Sequence, residues 1–132
     1  MTDTTTRGTV LIVDDDPRNR KLLETLLLAD GFAVRSVASG TTALAAIAAA
    51  PPDLVLLDLM MPGMDGFEVV RHLKADAAGR RLPVVMVTAL DDDASHARLA
   101  AAGVKHVLTK PVDRWQLKSC LEEIRRQGQD PP

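Results

Sequence analysis

The chain has 132 residues and a formal net charge of −2, with 46% hydrophobic and 26% charged residues. This length suits one globular domain, and the small net charge leaves no broad basic surface for direct nucleic-acid binding. Because the chain has one cysteine and no long apolar run, we expect no internal disulfide, no signal peptide, no membrane contact and a cytoplasmic location.

Five short apolar segments follow one another along the chain, each succeeded by a helix-like pattern. The segments are VLIV, AVRSV, LVLL, VVMV and VKHVL, at residues 10–13, 33–37, 54–57, 84–87 and 104–108. Pro17 suits a helix start and Gly31 a helix end. This alternation predicts a parallel sheet with helices on both faces. We expect one domain over residues 9–126, with polar tails at residues 1–8 and 127–132.

The composition of the segments predicts their order in the sheet. The first, third and fourth segments are continuously apolar, as central parallel strands buried on both faces are. The second contains Arg35 and the fifth contains Lys105 and His106, which suits edge strands. The pattern fits a flavodoxin-like (βα)5 doubly wound α/β fold with strand order 2-1-3-4-5, an order already known for that architecture.

Polar residues follow these strands at the edge of the sheet where open α/β folds bind ligands. They are Asp14 and Asp15 after the first strand, Asp58 after the third, Thr88 after the fourth, and Thr109 and Lys110 after the fifth. Clustered carboxylates repel one another, and an oxygen-liganded Mg²⁺ would remove that repulsion. Three carboxylates, Mg²⁺ and one lysine sum to zero charge. Such a set suits phosphoryl transfer, in which a carboxylate can be the nucleophile.

Four separated blocks of sequence resemble a known family. They are VDD (13–15), LLDLMMPGMDG (56–66), VTA (87–89) and TKP (109–111). In this order and spacing they resemble the signature blocks of the response-regulator receiver domain of two-component systems and phosphorelays. The resemblance implies a domain that accepts a phosphoryl group from a histidine kinase or a histidine phosphotransfer protein. It also implies a switched surface that binds an output domain or partner protein, and catalysis limited to the domain's own phosphorylation and dephosphorylation.

The same resemblance implies a role for each site residue. The phospho-acceptor is Asp58, and the ligands of Mg²⁺ (or Mn²⁺) are Asp14, acting mostly through water, Asp15, Asp58 and the backbone carbonyl of Met60. The phosphoryl contacts are Lys110, the backbone amide of Ala89 and the switch hydroxyl of Thr88. A cis peptide bond is expected before Pro111. Many receivers have Tyr or Phe three residues before the lysine, where this chain has Val107, so the aromatic switch is expected to be absent or altered.

Two other functions are compatible with the sequence. Val107 leaves open an interaction module that does not depend on phosphorylation. A haloacid-dehalogenase-type phosphatase also uses Asp, Mg²⁺, Thr and Lys, and Asp14 with Asp16 resembles its opening motif. Arg18 stands where that motif has Thr or Val. Phosphorylation of Asp58 would indicate a receiver, and phosphorylation of Asp14 would indicate the phosphatase.

Neighbouring residues are interpreted as structural. Asp16 is predicted to cap the first helix, and Asp65 with Glu68 to form a capping pair for the third. The basic residues Arg18, Arg20 and Lys21 are interpreted as a solvated helix face or, alternatively, a docking face for a kinase or phosphotransfer helix bundle. Trp115 and Leu117 are interpreted as core residues. The alternative for Trp115 is a partner face, including a homodimer through the helices that follow the fourth and fifth strands.

Overall fold

The computed structural model describes residues 7–128, so most of both predicted tails lies outside the described residues. Within this range the strands are β1 (Thr9–Val13), β2 (Ala33–Val37), β3 (Leu54–Asp58), β4 (Val84–Thr88) and β5 (His106–Thr109). The helices are α1 (Pro17–Ala29), α2 (Gly40–Ala49), α3 (Gly66–Lys74), α4 (Ala77–Arg80), α5 (Asp93–Ala101) and α6 (Arg114–Gly128). Among these residues no helix is both long and apolar enough to cross a membrane.

The strands form one parallel sheet in the order β2-β1-β3-β4-β5, which confirms the predicted order. The two strands that contain basic residues, β2 with Arg35 and β5 with His106, lie at the edges. Asp58 on β3 is paired in register with Val87 on β4, and Thr88 is paired with Thr109 on β5. The carboxyl ends of β3, β4 and β5 therefore meet at one edge of the sheet.

Alternating side chains of the central strands fill two cores, one on each face of the sheet. Leu11 and Leu57 belong to the core that is completed by α2, α3 and α5. Ile12 and Leu56 belong to the core that is completed by α1 and α6. The prediction of helices on both faces is thus confirmed, and the double burial explains why the central strands are continuously apolar.

Side-chain caps fix where the helices nearest the site begin. The Asp16 carboxylate accepts a 2.9 Å hydrogen bond from the backbone amide of Arg18 and caps α1, with Pro17 in the first turn. Asp65 and Glu68 form the predicted capping box at the start of α3. Both caps satisfy amides that the first turn of a helix leaves without partners.

Three local features differ from the sequence prediction. β5 begins at His106 instead of residue 104, because Gly103 (φ +88°) ends α5 and the amide of Val104 donates to the Leu99 carbonyl at 3.0 Å. The short helix α4 was not predicted; its first turn is capped by Asp76. Trp115 is 71% exposed, so its interpretation as a core residue was wrong, whereas Leu117 is buried as expected.

Candidate functional site

The loop after β1 holds Asp14 in a fixed orientation. Asp14 is 1% exposed, and its backbone amide donates to the carbonyl of Val37 on β2 at 3.2 Å. Its Oδ1 accepts a 2.9 Å hydrogen bond from the amide of Asp16. Its backbone carbonyl accepts a 2.7 Å hydrogen bond from Nη1 of Arg20 on α1. These bonds join the end of an interior strand to the first turn of the following helix.

The sheet brings the three predicted carboxylates together. Asp58 is the last residue of β3 and is 3% exposed, whereas Asp15 is exposed to solvent. One carboxylate oxygen from each of Asp14, Asp15 and Asp58 lies within 4.8 Å of the other two. Oxygen clusters of this kind are what hard divalent cations bind. Asp53 lies directly before the opposite end of β3. Its Oδ2 accepts a 2.7 Å hydrogen bond from the amide of Thr9 there, so it takes no part in this cluster.

Lys110 supplies the positive charge of the cluster. Its Nζ donates to Oδ1 of Asp58 at 3.1 Å and lies 3.4 Å from Oδ2 of Asp14. Its backbone amide donates to the carbonyl of Thr88 at 2.8 Å, and the peptide bond to Pro111 is cis, as predicted. One ammonium group therefore contacts two buried carboxylates from different strands.

The pKa values follow from burial and from these contacts. Burial raises the pKa of Asp58, the hydrogen bond from Lys110 lowers it, and the charge of Asp14 raises it again; the result is above the ordinary value. Burial would lower the pKa of Lys110, but the bonds and charges of Asp58 and Asp14 outweigh it and raise that pKa. Without a metal the pKa of Asp58 and the pKa of Lys110 thus both lie above their ordinary values.

One atom of the cluster lacks a hydrogen bond. Oδ2 of Asp14 is buried and has no hydrogen-bond partner among residues 7–128, although Lys110 is its ion-pair neighbour. A buried carboxylate oxygen without a donor is costly to the fold. Together with the oxygens of Asp15 and Asp58, it forms a donor set that fits Mg²⁺ or Mn²⁺.

The remaining predicted residues lie around this cluster. Thr88 is fully buried at the end of β4, and its hydroxyl accepts a 3.0 Å hydrogen bond from the amide of Leu90. Ala89 is exposed directly after it. Met60 is 63% exposed, and its backbone acts to lower the pKa of the Asp58 carboxyl. Val107, on β5, is partly buried against the core that contains Met86.

Two contacts of the site were not predicted from the sequence. A Cβ added to Gly66 would lie 2.9 Å from both the Asp58 carbonyl oxygen and Cα of Leu59, so glycine lets α3 pack closely against the end of β3. The MPGMDG block indicated a turn but not this close approach. The second contact is the hydrogen bond from Arg20 to the Asp14 carbonyl. The sequence did not indicate it, because Arg20 was interpreted as part of a solvated helix face.

Known proteins are similar to this chain in sequence and in fold. The profile described as Response regulator receiver domain matches residues 10–122. Response regulator PleD of Caulobacter vibrioides is 44% identical over 117 residues, which are 89% of this chain and 26% of PleD. The DNA-binding response regulator MtrA of Mycobacterium tuberculosis is 37% identical over 128 residues, 97% of this chain and 55% of MtrA. The chain therefore spans only part of the length of these curated relatives.

Solved structures agree with the sequence comparison. The chemotaxis protein CheY4 of Vibrio cholerae superimposes with a TM-score of 0.83 at 29% identity, covering 89% of this chain and 98% of that chain. The receiver domain of a sensor histidine kinase from Pseudomonas aeruginosa gives a TM-score of 0.81 at 30% identity, covering 88% and 95%. That structure has a magnesium ion coordinated in its active site cleft. The chain belongs to the response regulator receiver domain family of two-component signalling proteins.

Proposed function

We propose that this receiver domain accepts a phosphoryl group on Asp58 from a histidine kinase or a histidine phosphotransfer protein. The phosphorylated form then presents a changed surface to an output domain or partner protein. The observation that supports this is the position of Lys110, whose ammonium lies 3.1 Å from Asp58 and 3.4 Å from Asp14 at the carboxyl edge of the sheet. The chemistry is confined to the domain's own phosphorylation and dephosphorylation.

Asp58 is the nucleophile in this proposal. A carboxylate oxygen attacks the phosphorus of a phosphohistidine, the P–N bond breaks, and its electron pair stays on the imidazole nitrogen. The product is an aspartyl phosphate. Lys110 is a fixed cation beside the attacked phosphoryl group, and its charge stabilises the negative oxygens as the transfer proceeds.

The donor set supports a divalent cation, Mg²⁺ or Mn²⁺. Asp14, Asp15 and Asp58 would hold it with their carboxylates and Met60 with its backbone carbonyl, Asp14 mostly through water. When bound, the cation neutralises the clustered carboxylates and stabilises charge on the transferring phosphoryl group. The magnesium-containing relative from Pseudomonas aeruginosa supports the same assignment.

Thr88 would transmit the modification. Its hydroxyl, which accepts from the Leu90 amide, turns toward a phosphoryl oxygen, and the exposed Ala89 amide donates to another. The amide of Leu90 then loses its partner, so the segment leading into α5 rearranges. Val107 has no ring to follow this movement, so the output surface changes through the loop and α5. A homodimer through α5 and α6 is one form that the output could take.

The test is the intact mass of the protein after incubation with Mg²⁺ and a small-molecule phosphodonor. Asp58→Asn removes the acceptor, and Asp53→Asn makes the same change at the opposite end of β3. We expect a single phosphoryl adduct on the wild type and on Asp53→Asn, and none on Asp58→Asn. An adduct on Asp58→Asn would move the chemistry to another residue, Asp14 first, as in the phosphatase alternative. No adduct on any form would favour the phosphorylation-independent module.

A further inference from the structure

We infer that Arg20 is a positioning residue for the metal site, because its guanidinium fixes the backbone between Asp14 and Asp15, which follow β1. The inference rests on the proposed function, since it needs Asp14 and Asp15 as metal ligands. It assigns a role to a residue of α1 that lies outside the carboxylate cluster.

Asp14 is held at three of its four polar atoms. Its amide donates to Val37 at 3.2 Å, its Oδ1 accepts from Asp16 at 2.9 Å, and its carbonyl accepts from Arg20 at 2.7 Å. The fourth atom, Oδ2, has no hydrogen bond among the described residues and faces Lys110 at 3.4 Å. The three bonds therefore leave one carboxylate oxygen without a hydrogen bond and fix the direction in which it points.

The start of α1 sets the position of Arg20 itself. The backbone amide of Arg20 donates to the Asp16 carbonyl at 3.1 Å, and Asp16 also caps the helix. Within residues 7–128 the Arg20 side chain forms no ion pair, so its contact with the loop is the hydrogen bond to a carbonyl. Arg18 differs, because its side chain is 93% exposed and pairs with Asp16.

The carbonyl that Arg20 holds belongs to the peptide group joining Asp14 to Asp15. Rotation of this peptide group would move both carboxylates at once. The hydrogen bond from Arg20 has a charged donor, which makes it stronger than a bond between neutral groups. Residues that orient metal ligands in this way typically change metal affinity by about 10–100-fold when they are replaced.

Charge and position predict opposite effects of replacing Arg20. Removing a positive charge near three carboxylates would strengthen Mg²⁺ binding if charge alone mattered. Removing the guanidinium that orients the loop would weaken it. The direction of the change in affinity therefore separates the two explanations.

The test is the Mg²⁺ dissociation constant, measured from the rise in the thermal unfolding midpoint as Mg²⁺ is added. We expect about 10-fold weaker binding for Arg20→Met, partial recovery for Arg20→Lys, which keeps a cationic donor, and no weakening for the control Arg18→Met. Should Arg20→Met fail to fold, Arg20→Gln takes its place with the same expectation. Binding by the neutral variant that equals or exceeds that of the wild type would overturn the inference. A wild-type chain that Mg²⁺ does not stabilise would instead overturn the proposed function, and the inference with it.

Discussion

Replacing Lys110 by methionine tests the electrostatic balance of the site. The lysine Nζ lies 3.1 Å from Asp58 and 3.4 Å from Asp14, and its side chain is 23% exposed. The substitution keeps the aliphatic stem but leaves two buried carboxylates without their cation. Removing one partner of a buried ion pair costs about 3–5 kcal/mol. Because Lys110 is partly exposed, we expect the lower end, about 3 kcal/mol in the absence of Mg²⁺.

Mg²⁺ should offset this loss, because the ion and the ammonium group neutralise the same carboxylates. A ligand present at 100 times its dissociation constant stabilises a protein by about 2.7 kcal/mol. Lys110→Met should gain more than the wild type from the same Mg²⁺ concentration, since no ammonium repels the ion from the variant.

Thermal unfolding at pH 7, with a chelator and then with Mg²⁺, measures both effects. For a chain of this length, about 3 kcal/mol corresponds to a midpoint lower by roughly 10 °C. The matched control is Lys105→Met, which removes an exposed lysine beside β5. Equal stabilisation of Lys110→Met and wild type by Mg²⁺, or no loss without the metal, would refute the reasoning.

Three further predictions concern individual residues. Burial is the main cause that raises the pKa of Asp58 in the folded state. Proton binding by Asp58 therefore favours the folded state fully below the unfolded pKa, and this stabilisation is lost as pH rises through the folded pKa. Asp58→Asn should therefore raise the metal-free unfolding midpoint at pH 7 but not at pH 3. Gly66→Ala should destabilise the fold by about 1–3 kcal/mol in urea unfolding and slow the proposed phosphorylation, because the added Cβ would lie 2.9 Å from backbone atoms of Asp58 and Leu59. Burial raises the pKa of the Cys120 thiol to about 11, so alkylation of the folded protein should stay slow at pH 8 and speed up in denaturant.

Much of the fold and the cluster could be predicted because both depend on local pattern. Continuous apolar runs identify β1, β3 and β4 as central, and the rule that ligands bind at the carboxyl edge then places Asp14, Asp58 and Lys110 together. The helix caps were predictable for the same reason, since each depends on residues close together in the sequence.

The features that were missed depend on contacts between elements or on the exact rotation of a helix. The bond from Arg20 to Asp14 needs α1 to begin at one particular angle to β1. Gly66 matters only because the Asp58 backbone passes beside it. Two residues along an α-helix are about 200° apart, so the burial of Leu117 turns Trp115 toward solvent. An apolar residue type alone did not reveal that orientation.

The exposure of Trp115 has a practical consequence. The chain has one tryptophan and no tyrosine, so its near-ultraviolet fluorescence comes almost wholly from a single indole in the first turn of α6. Because 71% of that residue is open to water, a protein that covers this end of α6 would move the indole into a drier environment and shift its emission to shorter wavelength. The protein thus has a built-in optical reporter, and association at that surface can be followed without an attached dye.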